Sequence, residues 1–223
     1  MLAVFGQGLF LILEYYIATF TRYPGHGEIL EVHLWGTAVL AILSLIYAVP
    51  AVYRRGQKFQ YFLSILVIQN IGAVSMFILV LIMMGTEDAI IQNGTLDSFA
   101  MTALAAGLFV FMSAFIRFWL LIRKGAYRRG SGKDILRSRF ETKSYVAVAI
   151  VGGISLFFTA QYLFRNLGMP NLDMAIMLTL MMLIVYVMLF ILPEQLMILY
   201  CKFRFRSFNY KKNGELYGSK EFA

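Results

Sequence analysis

The sequence predicts an all-α polytopic membrane protein with six transmembrane helices and both termini on the cytoplasmic side (N-in/C-in). Three observations carry that prediction. First, 60% of the 223 residues are hydrophobic, only 14% are charged, and mean hydropathy is +0.73. Soluble domains carry about 25% charged residues, so a water-soluble fold of this composition could not cover its surface. Second, apolar runs of about twenty residues recur, and that length spans a bilayer as a helix. Third, the basic residues fall in alternate connections between those runs.

The six runs are 2–20, 34–53, 60–85, 98–122, 144–164 and 174–200. The first carries Gly6, Gly8 and Glu14. It lacks a basic leading segment and Glu14 interrupts its apolar core, so it reads as a helix and not as a cleavable signal. No charge occurs between Lys58 and Glu87, between Lys143 and Arg165, or between Asp173 and Glu194. The fourth and fifth runs contain small residues at a spacing of four, Ala103 with Gly107 and Ala149 with Gly153. Small residues let helix backbones approach in lipid, where no hydrophobic drive brings helices together. These two helices are therefore expected at the bundle centre.

Orientation follows from the charges. Seventeen of the twenty Lys and Arg residues fall in segments 54–59, 123–143 and 201–223. Segments 21–33, 86–97 and 165–173 hold only Arg22 and Arg165. Basic residues resist translocation, which places the first set in the cytoplasm and makes 201–223 a basic cytoplasmic tail. The chain is expected as a multi-pass protein of a cytoplasmic membrane, with bacteria the expected hosts given its short loops. Within the longest basic block, segment 133–143 matches a short amphipathic helix. Its Arg137, Arg139 and Lys143 suit lipid headgroups or a docking partner. The formal charge of +8 is accounted for by these loops, so nucleic acid is not an expected partner. The single cysteine, Cys201, excludes an internal disulfide.

Ionisable and amide groups inside the apolar runs are the candidate functional residues, because a polar group in hydrocarbon is expensive. Gln69 and Asn70 in the third run, Arg117 in the fourth, and Glu194 and Gln195 beside Pro193 in the sixth share one half of the membrane. They are expected to form a buried polar layer, with Arg117 paired to Glu194. Glu14 lies toward the outer side, with Arg22, Arg165 or Gln161 as expected partners. His26, Glu28, Glu31 and His33 read as a polar outer loop. Their residue types suit a metal, but their spacing fits no established metal pattern, so no metal site and no cofactor are assigned.

No nucleotide-binding loop, nucleophile elbow or metalloprotease motif occurs in the sequence, and an enzyme is not expected. The expected function is that of a non-catalytic membrane protein acting through a membrane or secreted partner. A subunit of a transport or secretion complex, or an immunity protein against a membrane-active toxin, would fit. The alternative is a small-solute or ion transporter or channel that uses the polar layer.

Overall fold

The computed structural model describes residues 2–53, 56–86, 95–124 and 170–204. Among these the fold is all-helical, with no strand. The elements are α1 (Leu2–Ala18), α2 (His26–Ile46), a short α3 (Pro50–Tyr53) and α4 (Gln57–Gln69). A π-helical turn (Asn70–Ser75) leads directly into α5 (Met76–Met84). α6 (Thr95–Arg123) and α7 (Pro170–Arg204) complete the set. Four stretches are long and apolar enough to cross a membrane: His26–Ile46, Gln57–Met84, Leu96–Arg123 and Met174–Arg204. α1 is apolar but shorter, about 26 Å of helix. The expected fifth helix, 144–164, lies outside the described residues, as do Ala149, Gly153, Gln161 and the docking residues Arg137, Arg139 and Lys143.

Two compact units divide the chain, Met1–Ala114 with Met181–Ala223, and Phe115–Leu180. In the first, α1 and α2 form an antiparallel pair. Their link is closed by Pro24 and by Gly25, whose φ of 72° is the left-handed conformation that glycine takes without strain. That turn starts α2 at His26 and not at 34, so the polar segment 26–33 is the first part of a helix and not a loop. Glu28 in its first turn complements the positive end of the helix dipole.

The centre of this unit is the third apolar run. Ile78, Leu79, Val80, Leu81 and Ile82 are buried in succession. A helix buried all round is enclosed by its neighbours. α6, by contrast, exposes Met101, Leu104, Leu108 and Phe109 and buries Ala103 and Ala114. The small residues expected to place it at the centre serve a narrower contact. The Tyr186 hydroxyl donates to the Ala103 carbonyl at 3.4 Å, and Gly107 sits against Leu189 and Tyr186. The long uncharged run between Lys58 and Glu87 supplies the enclosed helix instead.

The two ends of the unit are marked by different chemistry. At one end the α1–α2 link packs on the C-terminus of α5. The Arg22 amide donates to the Gly85 carbonyl at 2.9 Å, and the Thr21 hydroxyl donates to the Ile82 carbonyl at 2.7 Å. Tyr23, Leu81 and Leu96 form a buried cluster there. Burial raises the Tyr23 phenol above its ordinary 10.0, with the Asp97 carboxylate adding to it, so the ring stays neutral among apolar neighbours. At the other end Lys58 donates to the Phe203 carbonyl at 3.4 Å and lies over its ring, and Lys202 lies over Tyr61. α7 from Met181 onward therefore runs antiparallel to α4. In the second unit, the end of α6 places Arg123 over Trp119 at 5.2 Å, a pairing of cation and aromatic ring suited to the headgroup region.

Gly85 is the tightest point of the first end. A Cβ there would meet the Thr21 hydroxyl and lie 2.9 Å from the Tyr23 backbone nitrogen. Gly85→Ala is expected to destabilise the protein by about 1–3 kcal/mol. Gly36, with nothing within 4 Å of its Cβ position, serves as the control. Thermal unfolding in a mild detergent should show a lowered midpoint for Gly85→Ala and little change for Gly36→Ala.

Candidate functional site

Three elements bring their polar residues to one buried place. α1 supplies Glu14, with no exposed surface, and Gln7, 2% exposed. The two are seven residues apart and so lie on one face, separated by roughly 10 Å along the axis. α2 turns Leu30, His33 and Thr37 inward while Val32, Leu34 and Trp35 are exposed. That pattern suits a helix in lipid: the i, i+4 pair of polar side chains faces the bundle and the apolar residues face outward. The π turn supplies Asn70. An inserted π turn rotates the helix locally and is frequent at functional sites.

The carboxylate and the imidazole meet directly. His33 Nδ1 lies 2.7 Å from Glu14 Oε2. His33 Nε2 lies 3.3 Å from Asn70 Oδ1 and 3.2 Å from the Thr37 hydroxyl. Asn70 Nδ2 donates to that hydroxyl at 2.9 Å. Nε2 thus faces both kinds of partner. When protonated, Nε2–H donates to the Asn70 carbonyl oxygen. When unprotonated, it accepts from the Thr37 O–H. Nδ1–H donates to the Glu14 carboxylate in either case. The two bonds at Nε2 are alternatives, so one tautomer or protonation state exchanges the Asn70 bond for the Thr37 bond.

A second polar contact lies next along the chain. Gln69 Nε2 donates to Gln195 Oε1 at 3.3 Å and to the Met188 carbonyl at 3.2 Å. α7 continues through Pro193, which has no N–H to offer the Leu189 carbonyl. Gln69 and Gln195 are therefore together, as the expected layer requires. Asn70 faces the other way, toward His33. Glu194 is half-buried and Arg117 is exposed. Arg117 lies near the end of α6, where a guanidinium on a long stem reaches the interface.

Glu14 takes a partner that sequence reasoning did not offer it, since His33 read as part of a loop. The usable signal was the Pro24-Gly25 turn ahead of Leu30, His33 and Thr37, which share a helical face. The four residues considered for a metal are separated. His33 turns inward, His26 Nδ1 lies 2.8 Å from the Tyr23 carbonyl, and Glu28 and Glu31 are exposed. Among the described residues no group of three His, Cys, Asp or Glu side chains is placed to hold a metal ion.

Among the described residues four buried polar atoms have no hydrogen-bond partner: Gln7 Nε2, Gln7 Oε1, Glu14 Oε1 and Gln69 Oε1. Each such atom costs on the order of 1–3 kcal/mol when left dry. Glu14 belongs to the network, Gln69 precedes Asn70 in the chain, and Gln7 lies about two turns from Glu14 along α1.

Removing one partner leaves the other buried and unpaired. His33→Ala is expected to destabilise by roughly 3 kcal/mol. The double variant with Glu14→Ala should recover part of that, with a coupling of roughly 0.5–3 kcal/mol. Chemical denaturation of the four proteins in detergent measures the cycle, and strictly additive single effects would show that the pair is not linked. No protein family, curated protein or solved structure matches this chain.

Proposed function

We propose that this is a multi-pass protein of a cytoplasmic membrane that carries protons, alone or coupled to a small solute or ion, through the Glu14–His33 network. The observation that carries the reading is the pair of partners at His33 Nε2, one for each protonation state. Polar groups continue it on one side, where Gln69 with Gln195 leads toward the Lys58–Phe203 end; toward the Tyr23–Gly85 end Leu30, Ile78 and Ile82 form an apolar cluster with Ile17 and Ala18. Such a file of polar side chains is costly in a membrane helix bundle and has its usual rationale in moving an ion or proton. The reading as a non-catalytic partner protein rests on the basic segments 123–143 and 201–223, nearly all of which lie outside the described residues.

The proposed topology has six crossings, with both termini in the cytoplasm. Its support is the skewed distribution of Lys and Arg and the direction of the helices. In the first unit, Ala103 and Gly107 of α6 meet Tyr186 and Leu189 of α7 in parallel order. Two consecutive described helices with one direction call for a crossing between them, and 144–164 is the apolar run available. In a Cys201→Ser background, Gln92→Cys should react with an impermeant maleimide in intact cells, and Asn213→Cys only after permeabilisation. The reverse pattern would invert the assignment.

Function is tested in proteoliposomes holding a pH-sensitive dye and a potassium-diffusion potential. The wild-type protein is expected to take up protons, and Glu14→Gln and His33→Gln to reduce the rate by at least about tenfold. Uptake no faster than in empty liposomes would favour the partner reading.

A further inference from the structure

The unpartnered atoms on α1 call for hydrogen-bond partners that the described residues do not supply. Gln7 and Glu14 present two acceptor oxygens and one amide donor without partners, on one face of one helix, both nine-tenths buried or more. A bare cation would satisfy the two oxygens and leave Gln7 Nε2–H without an acceptor. An anion would satisfy the amide and be repelled by the Glu14 carboxylate. Water donates to both oxygens and accepts from the amide, so it meets all three groups. The axial separation of roughly 10 Å exceeds a single hydrogen bond of ~2.8 Å, so more than one molecule is needed to connect the two residues.

We infer that Gln7 anchors a short file of buried water that continues the proton route from Glu14 toward the N-terminal end of α1. This deepens the proton-pathway reading and rests on it. The side of α1 that Gln7 occupies leads away from Tyr23, toward the end of the unit where the Lys58 and Phe203 contacts lie. Water in this file accepts a proton from, or returns it to, Glu14, and passes it on by exchanging O–H bonds for hydrogen bonds. No oxidant or second reactant is required. Gln7 does not titrate; its carboxamide orients the water, which makes it a positioning residue.

Two measurements decide the matter. Protein labelled with nitrogen-15 glutamine is placed in lipid for water-edited solid-state NMR. The Gln7 amide signal, identified as the one lost in Gln7→Met, should build up from the water resonance as fast as surface amides. A build-up as slow as that of dry helix interiors overturns the inference. In the dye-loaded proteoliposomes, Gln7→Met should lower proton uptake about tenfold, while Gln7→Glu, which keeps a hydrated group, should retain most of it. Unchanged uptake in a folded Gln7→Met protein also overturns the route. If the wild-type protein carries no protons, the functional reading fails by itself, and the NMR build-up still decides whether Gln7 is wet.

Discussion

A carboxylate with no exposed surface has to be answered from within the protein, because hydrocarbon offers it nothing. Glu14 is in that position, and much of the first unit can be read as the answer. His33 must reach it, so α2 has to begin early enough to place position 33 inside a helix. The Pro24-Gly25 turn does that. His33 then has a second nitrogen to satisfy, which brings Thr37 from the next turn of α2 and Asn70 from the π turn. Three separate segments are tied together by side chains that a purely apolar bundle would not need. Stability is not the obvious reason for such an arrangement, since well-packed apolar residues often do as well as a buried pair.

The π turn links the two polar contacts. Gln69 closes α4 and faces α7; Asn70 opens the turn and faces α2. In a regular helix neighbouring residues point about 100° apart, and both can serve different partners only if those partners flank the same helix. The enclosed position of this helix provides that. Ile78 to Ile82 are buried on all sides just above it, so the polar turn sits below a dry plug of apolar side chains. That plug lies between the polar turn and the Tyr23–Gly85 end of the unit.

Composition, runs of apolar residues and the asymmetry of Lys and Arg are local or summed properties, and they were sufficient to read an all-helical chain with membrane-crossing helices. They were also sufficient to mark Glu14, Gln69, Asn70 and Gln195 as polar groups in apolar surroundings. What they could not supply was which of these meet. Shared depth suggests pairing Arg117 with Glu194, but depth says nothing about which face of a helix points inward. Glu28 and Glu31 lower the local hydropathy and make 26–33 read as a loop, although they are exposed residues of the same helix that turns His33 inward. The choice between partners depends on helix rotation and on one inserted turn at Asn70, and both are settled by packing across the bundle. That is the physical reason why the sequence determined the solvent in which this protein folds, whereas only the tertiary structure decided that Glu14 faces His33.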